Sequence, residues 1–431
     1  MTAVKTRCLD KSNQLWQEAQ ETILSGCQLY SKGPETHIQG VSPIYIDHGK
    51  GAHVWDPDGN EYIDYDMGLG PILLGYQYQP VDDAVIAQLR RGMGYSLVAP
   101  EEVAYAKLCV ENIPSAGKVR FLKTGSAATE ATIRIARAYT GRKYILRGEY
   151  HGWHEWTTAA EGVRQGGVLD EVRQYVHKFD YNDLEAAEAY FSHHKGQVAA
   201  VITEPVILDT PKDDFLNRLK ALCHENGALL IFDEVVDGFR FGIGGAQAYF
   251  GVTPDLSTFG KATANGMPLS IVAGRKEIME AVDKKIFIST TFGGECLSLA
   301  AGIAVMHELK HKNVTKRIWA IGEKLQTTFR QLAEQIGVPI DLAGYPCRLS
   351  LEYTDYAGRR DWLYNSLFMQ ECVKRGVLLG WHVFPCYSHT DEDIDVTLNV
   401  FEDAMRVYKK ALDSGNPASF MEGIPLKIVL G

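Results

Sequence analysis

The stretch "DLSTFGKATANGMPLSIVAGR", Asp255–Arg275, sets a single lysine, Lys261, between two short apolar runs. Leu256–Phe259 reads as a strand, and the glycine-containing turn after Lys261 leads into another apolar strand. A surface lysine needs no clearing of small residues around it. A lysine that another molecule must reach does. The reading of this stretch therefore depends on what the rest of the chain can bring to that amine.

Upstream, from about residue 101, helical spacing alternates with short apolar runs, the pattern of a parallel sheet covered on both faces. Helices are expected over 101–113, 128–141, 181–194 and 212–227, with Gly141 capping the second. Strands are expected over 118–123, 143–148, 197–205 and 228–235, the last two ending near Glu204 and Asp233. Downstream, 297–337 reads as one long helical stretch, followed by two apolar β-like runs. A last helix, roughly 390–413, opens on a capping pattern at Thr390 with an acidic first turn. "GKGAHVWDPDGNEYIDYDMG" (49–68) reads as a hairpin around Asp58-Gly59. Three regions are expected: 1–75 packing with the small domain, 76–310 as a large domain, and 311–431 as a small α+β domain.

The 431 residues carry 44 basic and 54 acidic side chains, a net charge of −10, and no basic run stands out. A nucleic-acid or anionic-membrane surface is excluded as the main function. The eight cysteines are scattered with no C-x-x-C pair, which fits reduced thiols in a cytoplasm rather than a disulfide or zinc scaffold. The N-terminus is too polar for a signal peptide, and no 18-residue apolar run occurs. A cytoplasmic protein is expected.

Ligands of open α/β sheets bind beyond the carboxyl ends of the strands. Four such ends carry chemistry. "TGSAATEA" (124–131) opens a helix whose first amides can hold a phosphate, with Ser126 adding a hydroxyl; alone it is also an ordinary capping turn. Asp233 ends the most apolar strand, where an acid needs a partner: a protonated heterocyclic nitrogen, or a structural cap or ion pair. Tyr150 could lie flat on a ligand ring, with Gly152 permitting close approach. The "HGWHE" spacing lacks the helix and third ligand that zinc requires. His193-His194 reads as a solvated pair. Lys261 can form a Schiff base once its amine loses its proton, or can be a plain surface lysine. Together the four describe one ligand, with a phosphate, a ring face, a pyridinium nitrogen and an aldehyde. That ligand is pyridoxal phosphate (PLP).

"FDEVVDGFRFGIGGAQAYFGVTPDLSTFGKATANGMP" resembles the segment of class III aminotransferases that holds the pyridinium-binding Asp and the Schiff-base Lys. "FLKTGSAATEATIRIARAYTGRKYILRGEYHGW", "WDPDGNEYIDY" and "STTFGGECLSLAAG" resemble the same family in order. Within it, the chain is most similar to the glutamate-1-semialdehyde aminomutase subgroup. The resemblance implies the PLP-dependent transferase fold of type I: an α/β large domain with a mostly parallel seven-stranded sheet, and a smaller α+β domain. It implies a homodimer with shared active sites. It further implies that Lys261 carries the cofactor and moves the proton, that Asp233 keeps the ring nitrogen protonated, and that Tyr150 stacks on the ring beside His151. Val235 would pack on the other face, and Gly125, Ser126 and the Ala127 amide would cradle the phosphate. Glu204 would support the site, and Thr291 would reach the phosphate of the neighbouring subunit.

The pattern departs from the mutases where they recognise substrate. Pro34 stands in place of the carboxylate-binding arginine, with Lys32 the nearest cation; Leu69 replaces a tryptophan; "GWHVFPCYSH" lacks a glutamate; Asp209 falls where an asparagine would bind the ring's phenolic oxygen. Ala127 replaces a frequent Glu. The expected activity is a PLP transaminase taking an amino group from a donor such as L-glutamate to a carbonyl acceptor, a keto-sugar or biosynthetic aldehyde, by a ping-pong cycle. The alternatives are a 2,1-aminomutase and a non-catalytic PLP-binding protein.

Overall fold

The computed structural model describes residues 7–159 and 164–427; the first six residues of the polar N-terminal stretch lie outside them. The chain divides into two compact units. One runs from Gln79 to Thr315, and the other joins the segment up to Tyr78 with the residues from Lys316 onward.

In the Gln79–Thr315 unit, seven of the described strands form one sheet. Their spatial order is Lys118–Leu122, Ser270–Gly274, Leu256–Phe259, Leu229–Glu234, Val198–Thr203, Tyr144–Arg147, Val176–Lys178. Ser270–Gly274 runs antiparallel to both neighbours, and every other pair is parallel. Leu256–Phe259, Leu229–Glu234 and Val198–Thr203, at the centre, are buried at every position, as a parallel sheet covered on both faces requires. Side chains alternate across it. Leu229 and Ile231 pack with Ile133 and Ile135 of the helix Gly125–Thr140, while Leu230 and Phe232 pack with Leu216 and Leu219 of the helix Phe215–Glu225 on the opposite face. Each such side chain contributes about 1.5–3 kcal/mol by leaving water. The parallel register pairs Thr203 with Phe232 and Asp233 with Thr258, so the chemically useful strand ends lie side by side.

The other unit holds the expected hairpin. His53–Trp55 pairs antiparallel with Glu61–Asp64, and Gly59 turns between them at φ +86. Ile340–Tyr345 pairs antiparallel with Arg348–Tyr353. The last helix spans Asp391–Ser414, opened by the Thr390 hydroxyl accepting the Asp393 amide N–H. Along the helix Val314–Ile336, Ile321, Leu325 and Phe329 recur every four residues on one face. They pack with Phe368 and Phe401 in this unit's core.

Two expectations need correction. The stretch 297–337 is not one helix: Cys296–His311 ends at Lys312, whose backbone is extended (φ −121, ψ 154), and Val314–Ile336 begins anew. Asn313, a poor interior helix former, sits at the break. The edge strand Val176–Lys178 was not expected; three residues, two of them polar, carry no period.

Candidate functional site

Apart from Thr291, the site residues expected from sequence lie at or just beyond strand ends of the large sheet. Asp233 ends Leu229–Glu234 and is 4% exposed. His151 Nδ1 lies 2.7 Å from its Oδ2, and its Oδ1 accepts the Val235 N–H at 3.1 Å and the Thr258 hydroxyl at 3.0 Å. Burial alone would raise this carboxyl. The His151 hydrogen bond and charge, with the Val235 amide and Thr258, hold it below the usual aspartate range instead. An ionised acid has no proton to give, so His151 Nδ1 donates. His151 itself is buried, and its Nε2 has no hydrogen-bond partner among the described residues.

Glycines draw the neighbouring pieces together. A Cβ on Gly125 would stand 2.8 Å from Val235 Cγ1, and one on Gly260 would stand 3.2 Å from the same atom. Val235 is thus pinned between the helix start and the residue before Lys261. A Cβ on Gly152 (φ +110) would stand 2.4 Å from Ser126 Oγ, so only glycine brings the Tyr150–Gly152 segment, beyond the strand Tyr144–Arg147, this close to the start of Gly125–Thr140. Ser126 Oγ accepts the Trp153 N–H at 3.2 Å, leaving its own proton to be donated. The Ala127 N–H points to Thr124 Oγ1 at 3.2 Å, a long capping bond that an incoming anion would have to displace.

Lys261 opens a 3-10 turn, Lys261–Ala264, with φ +41. A non-glycine residue in that region carries strain of about 1–3 kcal/mol, and such strain collects at functional positions. Tyr150 is 53% exposed, whereas Glu204, directly after Val198–Thr203, is 7% exposed. Thr291 is different. It lies on an exposed loop with Phe292, and among the described residues none of the bonds at the strand ends reaches it.

Three contributors escaped the sequence reading. Thr258 sits three residues before Lys261 and opposite Asp233 in register. Thr129 Oγ1 donates to the His151 carbonyl at 2.7 Å, tying the helix to the Tyr-His-Gly segment. Glu234 is fully buried and accepts from Ala246 N, Gln247 N and Gln247 Nε2; burial outweighs those donors and lifts its carboxyl to about 7. The only advance signal was that each follows or precedes an expected residue on a strand or at a helix start.

The arrangement fits PLP. A carboxylate offers about four lone-pair sites; Asp233 uses three, leaving one on Oδ2 for a ring N–H. The start of Gly125–Thr140 presents amides and the Ser126 hydroxyl to a phosphate, and an amine stands just beyond the neighbouring strand. Among the described residues no group of three or more His, Cys, Asp or Glu could hold a metal ion, and no helix is long and apolar enough to cross a membrane.

Residues 36–405 match the family model for class-III aminotransferases. Among curated proteins, the chain is 35% identical to 3-aminobutyryl-CoA aminotransferase of Cloacimonas acidaminovorans, over 94% of this chain and 99% of that protein. It is 33% identical to glutamate-1-semialdehyde 2,1-aminomutase of Persephonella marina, over 92% and 99% respectively. Among solved structures it resembles the PLP internal aldimine form of the FumI protein of Sphingopyxis sp. MTA144, with TM-score 0.87 and 27% identity over 96% of this chain and 98% of that one. The chain belongs to the class-III aminotransferases, and pyridoxal phosphate is its cofactor.

Proposed function

We infer that the protein is a bimolecular transaminase in which an amino donor, L-glutamate, gives its amine to a carbonyl acceptor with no carboxylate beside the carbonyl. The observation that carries this is the contrast between an intact cofactor constellation and Pro34 in the place of a carboxylate-binding arginine. Pro34 is buried in the short turn Pro34–Thr36 and offers no donor. Losing a bidentate arginine removes the strongest contact a protein makes to an α-carboxylate. The relative at 35% identity is named for an acyl-CoA amine, a substrate whose carboxyl is tied up as a thioester. A β-keto thioester joins keto-sugars and aldehydes as an acceptor class.

When bound, PLP supplies the electron sink that lets a Cα–H bond of the donor break. This chain's residues do the rest. Asp233, kept anionic by His151, Thr258 and the Val235 amide, holds the proton on the ring nitrogen. Lys261 Nζ would hold the cofactor's aldehyde and, when free, would carry a proton from the donor's Cα to the cofactor carbon that bore the aldehyde oxygen, and in the second half-reaction from that carbon to the acceptor's carbonyl carbon. Tyr150 would cover one ring face and Val235 the other. The Gly125–Ala127 turn fixes the phosphate, and Glu204 supports the site by hydrogen bonding. Thr291 serves the site of a second copy in a homodimer, which accounts for its exposure in a single chain. The two half-reactions share one site and so give ping-pong kinetics.

The aminomutase reading has relatives at 33% identity, but Pro34 and Leu69 stand against it. The test is a panel of acceptors offered to the amine-loaded enzyme. A kcat/KM at least about tenfold higher for a β-keto thioester, keto-sugar or aldehyde than for α-keto acids other than 2-oxoglutarate, the donor's own product, is expected, the size one lost charged contact gives. Conversion of glutamate-1-semialdehyde alone, with no external donor, would replace this reading by the mutase.

A further inference from the structure

The loop that carries Thr291 is fastened at both ends to the elements that frame the phosphate turn. Lys123, the residue before the capping Thr124, places Nζ 2.9 Å from Glu295 Oε2, and both side chains are mostly buried (18% and 19% exposed). Glu295 is also the cap of the helix Cys296–His311, accepting from Leu297 N at 2.6 Å and from Ser298 N at 3.2 Å. The other end is held by Arg134, on the helix Gly125–Thr140, whose Nη1 donates to the Phe287 carbonyl at 2.8 Å. A Cβ on Gly293 would stand 2.9 Å from the Phe121 carbonyl oxygen, so the loop's last residues lie directly on the strand Lys118–Leu122. Between these anchors the loop stands off the helix. It leaves a groove lined by Thr124, Ala127, Arg134, Phe287, Ser289 and Thr290, while Phe287 and Phe292 are 79% and 64% exposed.

We propose that the Lys123–Glu295 ion pair is a latch that makes the phosphate turn and the Thr291 loop one rigid piece, so that each subunit's cofactor site and its contribution to the partner's site are set by the same bond. The proposal rests on the reading of Thr291 as a phosphate contact in a second copy. Lys123 and Glu295 are positioning residues: neither touches the cofactor. A lysine–carboxylate pair shielded from water is screened little by salt, and removing one member leaves the other charge half-buried and unpaired. Glu295 already holds its helix start through three donors, so the carboxylate is fixed before Lys123 arrives.

The experiment measures the dissociation constant of PLP from the apo form of the full-length protein, together with its dimer dissociation constant. The variants are Lys123→Met, Lys123→Arg, Glu295→Gln, the double variant Lys123→Met/Glu295→Gln, and Thr291→Val as the control. The expected result is a roughly 5- to 30-fold weaker PLP affinity in Lys123→Met and in Glu295→Gln, no further loss in the double variant, and recovery in Lys123→Arg. The melting temperature of each apo variant separates a loosened latch from a damaged fold. If Glu295→Gln instead left PLP affinity unchanged or tightened it while Lys123→Met weakened it, Lys123 would be touching phosphate directly and the latch would be overturned. Additive losses in the double variant would overturn it too. If Thr291→Val has no effect, the reading of Thr291 fails; if it weakens PLP while Lys123→Met does not, only the latch fails.

Discussion

Two buried aspartates in this molecule have nearly the same surroundings by count and opposite behaviour. Asp233 is 4% exposed and Asp64 is 3% exposed, and each carboxylate accepts three hydrogen bonds. Asp64 takes the amides of Asp66 and Met67 on Oδ1 and the Tyr76 hydroxyl on Oδ2. Burial wins there and raises its carboxyl, in spite of Tyr76, the two amides and the charge of Lys32. At Asp233 one of the three donors is an imidazole, and the carboxyl is lowered. At Asp64 three neutral hydrogen-bond donors and the Lys32 charge do not offset desolvation; at Asp233 an imidazole that both hydrogen-bonds and carries charge, with two neutral donors, does.

The two aspartates consequently serve different ends. Asp233 is an anion with one open lone pair, on the strand next to the one that leads into the strained Lys261. Asp64 organises a turn in which Met67, Gly68, Leu69 and Gly70 all take positive φ, at +48, +65, +72 and +95. Two of those four are not glycine, and each costs about 1–2 kcal/mol in that conformation. The sheet's strand ends carry the residues proposed to hold the cofactor, while the Tyr30–Gly70 region carries Pro34 and Leu69, on which the proposed change of substrate rests.

The comparison can be broken most sharply at the strand ends. Lys261→Ala should lower kcat/KM by about 10⁴-fold or more if, as proposed, the amine both carries the cofactor and moves the proton; residual turnover near that of the unaltered enzyme would contradict that role. Asp233→Asn should lower kcat by about 10²- to 10³-fold with the melting temperature little changed, because it removes the charge, leaves Oδ1 to accept from Val235 and Thr258, and lets the His151 ring take the tautomer that accepts from the new amide. Asp64→Asn should act on stability instead, by about 1–2 kcal/mol, as it places an amide against donors that need an acceptor. Chemical denaturation distinguishes the two. A smaller effect is expected from Lys261→Gly, which relieves the positive φ and should stabilise the apo protein by about 1 kcal/mol while remaining inactive. Equal stability would mean that the backbone at Lys261 stores no strain.

Two buried groups, one in each unit, should also respond oppositely to pH. His389 is buried against Tyr65, with ring centroids 4.3 Å apart, and burial lowers it from 6.5 to about 4. A histidine lowered in the fold contributes stability that is complete above about 6.5 and is lost as pH falls toward 4. Glu234, lifted from 4.5 to about 7, has the opposite sign: its contribution is complete below about 4.5 and is lost as pH rises through 7. Acidification from about pH 7.5 to about 4.5 should therefore weaken hydrogen-exchange protection around His389 and strengthen it around Glu234. Glu234→Gln should flatten the second response. Parallel responses around His389 and Glu234, or no flattening, would refute the assignment.

Much of this was legible in the amino-acid sequence. Asp233 stood out because an acid ending an all-apolar run needs a partner, and Lys261 because small residues and glycines surround it; only their conjunction with the other strand ends pointed to one ligand. The hairpin at Asp58-Gly59 and the Thr390 cap followed from local turn and cap chemistry. Thr258 was invisible because a threonine in a strand is commonplace; only the register opposite Asp233 gives it meaning. The left-handed run at Met67–Gly70 was equally hidden, since its two glycines permit the turn but Met67 and Leu69 argue against it. The helix break at Lys312 went unseen because no proline or glycine marks it.

The most direct test of the central claim is the absorption spectrum of the purified holoenzyme before and after addition of L-glutamate, with 2-oxoglutarate quantified in the same sample. The cofactor's yellow band is predicted to bleach to that of the amine form, with one 2-oxoglutarate released per site. A yellow band that L-glutamate leaves untouched would contradict the proposed donor, and no band even with added pyridoxal phosphate would contradict the strand-end site itself.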